Sequence, residues 1–209
     1  MSLLIDTDSL VLLCGLKCLK QALDVVGYEA MDCRRLSHAP KQIRKSRWFR
    51  RQFPHLDREE VAQKAEAIPS LELPRNIRFQ QKLIEVEGID EGETLLLATA
   101  EEQISAVLLS GDQRMLRAFG EAKDAELAEA RNRLRGRLLY LPQVIRALVQ
   151  ELGLEEMDSK WRSANIRHKS LAVLFGSQPI VSANHFQDAY EYLLSDLKEV
   201  FGEDYFYNL

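Results

Sequence analysis

Cysteine is scarce in this chain and odd in number, with 3 among 209 residues. That count supplies no disulfide framework and points to a reducing compartment, so a cytoplasmic protein is expected. Long apolar runs are missing as well. The run from Leu10 to Leu16 is broken by Lys17 and is too short to span a membrane. No basic stretch precedes it, so it does not read as a signal peptide, and no membrane partner is expected. Internal repeats and low-complexity linkers are absent, which excludes a solenoid. Acid is missing from one place in particular. Between Arg34 and Gln52 there is none, although Asp and Glu total 32 against 28 Lys and Arg over the whole chain. Hydrophobic residues, at 46%, suffice for one substantial core.

The apolar segments that are present alternate between two periods. "SLLIDTD" reads as a strand ending at Asp6, and residues 9–26 carry Leu10, Leu13, Leu16, Leu19 and Leu23 at helical spacing. "YEAMDC" reads as a short strand and residues 39–52 as a basic helix. Asp57-Arg58-Glu59-Glu60 is expected to open another helix, with further helices at 75–87, 91–103, 113–119 and 122–135 and a strand at 105–110. "RLLYL" reads as a last strand, and Pro142 suits the first turn of helix 142–152. Residues 153–209 show no clear strand and end in a helix at about 183–201 and an aromatic tail. Strands alternating with helices predict an α/β fold with a mainly parallel central sheet covered on both faces.

In such a sheet ligands gather outside the carboxyl ends of the strands. Asp6 and Asp112 both end apolar strands, and Glu93 opens the helix directly before the second one. Taken singly these acids have structural readings. Asp112 is placed to cap the next helix, Ser110 with Gln113 to form a capping box, Asp8 to cap helix 9–26, and Asp90 with Glu93 to form another box. Taken together they form a set of carboxylates at one edge, which repel unless a cation joins them. Hard divalent ions prefer oxygen ligands, so Mg²⁺ or Mn²⁺ is the expected cofactor, held by Asp6, Glu93 and Asp112, with Asp8 as a fourth candidate.

"LLIDTDSLVLL" followed by "GIDEGETLLLATAEEQISAVLLSGDQRMLRA" resembles the PIN-like domain family. The resemblance covers about residues 2–45 and 85–150. It implies a three-layer α/β/α fold and a Mg²⁺- or Mn²⁺-dependent endoribonuclease, in many bacterial members the toxin of a toxin–antitoxin pair. It makes Asp6, Glu93 and Asp112 catalytic and gives Ser110 the small hydroxyl position. RNA and an antitoxin or other protein would then be partners, and a homodimer is an expected assembly. The chain departs from the pattern in two places. Arg44 or Lys45 stands about where another acid is expected, and Met115 and Leu116 replace a further one; Asp8, Asp32 and Asp57 are candidate substitutes. Residues 46–85 read as a helical insertion in a domain of 1–152, and 153–209 as a helical C-terminal extension packed on it.

"KQIRKSRWFRRQF" interleaves cations with aromatics. Arg44, Lys45, Arg47, Arg50 and Arg51 suit phosphates and Trp48 suits a base, so these residues are candidate RNA contacts. The alternative is a solvated helix whose Trp48 and Phe49 enter the core. Cys14, Cys18, Cys33 and His38 could be drawn as a zinc site, but two would lie in an apolar helix, and buried free thiols are expected instead. His55, His168 and His185 receive no role. Two other functions remain open: an inactive PIN-like scaffold that binds RNA or a protein, and a phosphatase resembling the haloacid dehalogenase family, with Asp6 as nucleophile and Asp8 as acid/base.

Overall fold

The computed structural model describes residues 1–177 and 181–209. Its elements run β1 (Ser2–Ile5), α1 (Thr7–Gly15), α2 (Leu19–Val26), β2 (Cys33–Arg35), α3 (Ala39–Lys45), α4 (Arg47–Gln52), α5 (Arg58–Glu66), α6 (Ile77–Ile84), α7 (Glu91–Glu102), β3 (Ala106–Ser110), α8 (Gln113–Glu121), α9 (Ala125–Leu134), β4 (Leu138–Tyr140), α10 (Leu141–Leu152), α11 (Leu154–Ala164), α12 (Lys169–Phe175) and α13 (Ala183–Phe201). The strands form one all-parallel sheet, in the order β2–β1–β3–β4, flanked by helices in a three-layer α/β/α arrangement. Every strand therefore ends at the same edge. The chain leaves β1 for β2 on one side and later returns to β3 on the other, so the topological switch point lies between β1 and β3.

The central strands are apolar on both faces because both are covered. Leu3, Leu4, Ile5, Leu108 and Leu109 are buried. Helix α1 is likewise apolar all round, and Leu10 to Cys14 are all buried. A helix of that kind needs cover on every side. The sheet covers one side, and α5 of the 46–85 region packs on it too. Leu56 and Ile166 of the C-terminal region both close on Gly15.

The same two regions protect the sheet edges. Beside β2, Arg35 N donates to Pro69 O and Leu71 N to Arg35 O. Beside β4, Tyr207 N donates to Leu138 O and Gly136 N to Tyr205 O. Open edge strands are templates for aggregation, so these segments satisfy groups that would otherwise recruit another chain.

Three elements differ from the sequence expectation. Residues 9–26 are two helices, not one: Lys17 takes a left-handed φ of 54°, and Cys18 N donates to Leu13 O across the break. The break lets α1 stay under the sheet while α2 turns to pack on α10. "YEAMDC" begins as a tight turn at Ala30–Asp32, closed by reciprocal Glu29 and Asp32 capping bonds, and only Cys33 onward is strand. Residues 39–52 divide at Ser46, whose hydroxyl accepts from Trp48 N and Phe49 N and starts α4. The described part of 153–209 is helical without a strand, and among the described residues no helix is long and apolar enough to cross a membrane.

Candidate functional site

At the switch point Ile5 pairs with Leu109, which sets Asp6 beside Ser110. Asp6 is the cap of α1, in place of Asp8: its Oδ1 accepts from Ser9 N at 2.5 Å. Its Oδ2 accepts from Gly111 N at 2.9 Å, across 105 residues of chain. Both oxygens are thus spent on tying the ends of β1 and β3 together, and the side chain is buried. A carboxylate so placed orients its surroundings; it is a poor nucleophile, which counts against the phosphatase alternative.

Asp112 caps α8, with Oδ1 accepting from Met115 N at 3.0 Å. Its backbone N–H is received by Ser110 Oγ at 3.1 Å. Asp90 and Glu93 form the expected capping box on α7: Glu93 Oε2 accepts from Asp90 N at 2.7 Å, and Asp90 Oδ1 from Glu93 N at 2.8 Å. The Asp112 cap and the Asp90–Glu93 box are thus as expected, whereas Asp6 caps α1 instead of Asp8 and Ser110 accepts from Asp112 N instead of forming a box with Gln113; and yet the acids converge. Asp6, Asp8, Asp90, Glu93 and Asp112 line one cleft of about 690 Å³. Three helix N-termini, those of α1, α7 and α8, carry these acids, and their dipoles offset part of the mutual repulsion. A larger groove of about 900 Å³ lies by α13 and the tail; its four acids, Glu191, Glu199, Glu203 and Asp204, come from that helix and tail alone and share the groove with Arg146 and with Lys198, which pairs with Glu203.

Asp6, Asp8 and Glu93 are hard to ionise. Burial first, then the charges of Asp6, Asp112 and Asp90, push the Asp8 carboxyl up to about 7. Burial, together with the charges of Asp112 and Asp90, pushes Glu93 up to about 8. Burial also raises Asp6, against hydrogen bonds from Ser110, Ser9 and Gly111 that pull it down. The linkage follows in sign. From the ordinary carboxyl range to about pH 8, the metal-free folded protein retains protons that the unfolded chain has released. Stability is therefore highest at the acid end of that window and falls as pH rises through it. The expected loss, measured by urea melts in EDTA, is on the order of 1–3 kcal/mol between about pH 5 and pH 9. Glu93→Gln keeps the capping acceptor and should flatten the profile. An unchanged profile would mean that Glu93 is solvated.

The basic segment divides into two groups. Arg44 is bound to α5: its Nε and Nη2 reach Glu59 at 2.9 and 2.8 Å, and Nη1 reaches Glu66 at 2.6 Å. It is taken up by the fold and is not displayed to a ligand. Nor does it occupy the place facing the acids. From α3 and its flanks, His38, Gln42 and Ser46 line the cleft, so an amide stands there where Arg44 or Lys45 was expected. Lys45, Arg47, Arg50 and Arg51 are exposed. Phe49 enters the core at 1% exposure, as the solvated-helix alternative required, but Trp48 is 47% exposed and lines the cleft edge-on to Phe49.

Among the cleft residues not singled out from sequence are Arg114 and Thr7. Arg114 Nη2 stands 3.4 Å from Asp112 and 3.9 Å from Glu93. Thr7 lines the cleft with its buried Oγ1 lacking a hydrogen-bond partner among the described residues. The position of Arg114, two residues after Asp112 in the first turn of a helix, was the available signal. The cysteines are free and buried, and burial pushes their thiols up to between about 11 and 12, which leaves them inert.

As placed, no three His, Cys, Asp or Glu side chains among the described residues group closely enough to enclose a metal ion. The donor chemistry nonetheless fits a hard cation. Glu93 Oε1 and Asp112 Oδ2 are the oxygens not used in capping, Thr7 adds an unpartnered hydroxyl, and six acids, Glu91 among them, line one cleft. Mg²⁺ commonly binds through one or two carboxylates and keeps its waters, so an enclosing cage is not required. Comparison of the chain with protein-family models, with curated proteins and with solved structures gave no match.

Proposed function

We propose that the chain is a divalent-cation-dependent endoribonuclease of PIN-like type, acting on single-stranded or looped RNA in the cytoplasm, as the toxin of a toxin–antitoxin pair would. The supporting observation is the cleft itself: carboxylates from the ends of β1 and β3 and from α7 share it with a half-exposed Trp48 beside exposed cations. Glu93 and Asp112 would hold Mg²⁺ or Mn²⁺, with Asp8 adjacent. The bound ion would polarise a phosphoryl oxygen and neutralise its charge. Asp6 keeps the two strand ends in register so that Asp112 stays aimed at the cleft. Asp8, lining the same cleft, would be placed to accept a proton from an attacking water. Trp48 offers a face for an unpaired base, and Lys45, Arg47, Arg50 and Arg51 offer charge for the flanking phosphates.

A scaffold without catalysis is the second reading, favoured by the amide of Gln42 facing the acids and by the capping role each acid performs. The deciding experiment is cleavage of a labelled RNA pool with and without Mn²⁺. Binding without metal-dependent cleavage would select the scaffold.

Trp48 separates either reading from one without RNA. Because it is half-exposed, Trp48→Ala should weaken RNA binding by about 1–3 kcal/mol with no change in salt slope. Its melting temperature should move little, in contrast to Phe49→Ala, whose buried ring is worth about 3–5 kcal/mol to the fold. Combined neutralisation of Arg47 and Arg50 should instead flatten the slope of log K against log salt by about 0.7 per lost phosphate contact. Fluorescence anisotropy across a salt series measures both. Equal affinity for Trp48→Ala and the parent would remove Trp48 from the RNA path.

A further inference from the structure

Glu93 and Asp112 divide their oxygens in the same way. One oxygen of each is spent on a helix cap, Glu93 Oε2 on Asp90 N and Asp112 Oδ1 on Met115 N. The other oxygen of each, Glu93 Oε1 and Asp112 Oδ2, faces a single nitrogen, Arg114 Nη2, at 3.9 and 3.4 Å. Two free carboxylate oxygens thus converge on one cationic group within the cleft. Helix stability does not explain a cation there, since the first turn of α8 is the positive end of its dipole. The stem is guided as well: at Gly88, with φ +99°, an added Cβ would lie 3.6 Å from Arg114 Cγ, so the backbone between α6 and α7 closes on the arginine. The guanidinium itself is loosely held. The Arg114 side chain is 67% exposed, and both approaches are longer than a tight charge-assisted hydrogen bond. An exposed pair of this kind shifts an equilibrium by about fivefold at most.

We propose that Arg114 is a tethered cation of this cleft. It neutralises Glu93 and Asp112 while no divalent ion is bound, and it turns to a substrate phosphate when an ion takes those oxygens. The proposal rests on the ribonuclease reading and gives that site a phosphate-binding residue. A compact divalent ion holds hard oxygens more strongly than a delocalised monovalent guanidinium, so the exchange runs in that direction. The displaced group remains attached at the cleft, where its planar donors suit the oxygens of a phosphodiester. Recruitment of RNA is thereby coupled to loading of the metal, because loading makes the arginine more available, by up to about fivefold.

Two affinities in Arg114→Gln test this, with Arg114→Lys as the charge-retaining control and thermal melts to verify folding. The first is Mn²⁺ affinity without RNA, by calorimetric titration. Removing the competitor should tighten Mn²⁺ by about two- to fivefold. The second is binding of a fluorescent single-stranded RNA with Ca²⁺ present. Arg114→Gln should weaken it by about tenfold, and Arg114→Lys should recover part of the loss. In the parent protein the RNA should bind more tightly with Ca²⁺ than in EDTA. A parent that binds Mn²⁺ normally while Arg114→Gln binds it no tighter overturns the role of Arg114 alone. A parent that binds no Mn²⁺ at millimolar concentration overturns the metal-dependent reading, and the exchange with it.

Discussion

On the ribonuclease reading, Asp112→Asn should reduce metal-dependent RNA cleavage by about a hundredfold or more at unchanged stability, whereas Asp6→Asn should lower both cleavage and stability. The two acids look equivalent in sequence, since each ends an apolar strand. The structure separates them by what their oxygens do. Asp112 uses Oδ1 as a cap, and Asn caps a helix as well as Asp does, so the Met115 N–H stays satisfied. What the substitution removes is the charge on Oδ2, the oxygen facing the cleft. Loss of a metal ligand forfeits several kcal/mol of transition-state stabilisation, and each 1.4 kcal/mol is a factor of ten in rate. Asp6 has no free oxygen, because Ser9 N and Gly111 N occupy both. An Asn there presents one oxygen and one NH₂ to two donors, and one buried N–H loses its partner. That costs about 1–3 kcal/mol, or a fall in melting temperature of roughly 2–4 °C for each kcal/mol in a chain of this size. Cleavage assays with parallel melting curves, repeated in excess EDTA, measure both effects. An Asp6→Asn variant that melts like the parent would show that Asp6 does not clamp the strand ends. Full activity in Asp112→Asn would place the chemistry elsewhere.

That difference shows how far a sequence of this kind can be read. A parallel sheet follows from alternating strands and helices, and placing Asp6, Glu93 and Asp112 at one edge needs only the rule that parallel strands share a carboxyl edge; the strand order that puts a switch point between β1 and β3 comes from the structure. The Asp90–Glu93 box is legible because its spacing is local. What each oxygen does is not legible, since Gly111 approaches Asp6 across a sheet register that sequence leaves open. Arg44 shows the same limit from the other side. Its charge is plain in the sequence, but its pairing with Glu59 and Glu66 depends on how α5 packs against α3. The break at Lys17 was hidden because the leucines of α1 and α2 keep a helical spacing through it, and a periodic pattern cannot register a change of direction.

Helix α13 packs closely on α8 at one glycine, and Gly120→Ala should show it by destabilising a helix that alanine ordinarily favours. Within a helix the exchange of Gly for Ala is worth about 1 kcal/mol in the stabilising direction. At Gly120 an added Cβ would come within 2.9 Å of two atoms of the Phe201 ring and would also strike Val200. That ring has little room to retreat, since it packs on Tyr205 at 4.4 Å, Phe206 at 5.5 Å and Phe119 at 6.5 Å. The clash should therefore exceed the propensity gain and leave a net loss of about 1–3 kcal/mol. Gly15→Ala is the control. There the nearest atom is the flexible Cδ1 of Ile166 at 2.8 Å, which can turn aside, so the change should be close to neutral. The consequence reaches beyond melting temperature. Phe201 leads into the tail whose Tyr207 N and Tyr205 O cover the β4 edge, so displacing α13 from α8 loosens that cover. Gly120→Ala should then associate on warming at temperatures where Gly15→Ala stays dispersed, as read by light scattering alongside the melt. A Gly120→Ala protein that melts higher than the parent would mean that α13 does not pack on α8 at this glycine, and that the tail is held to β4 by its own bonds alone.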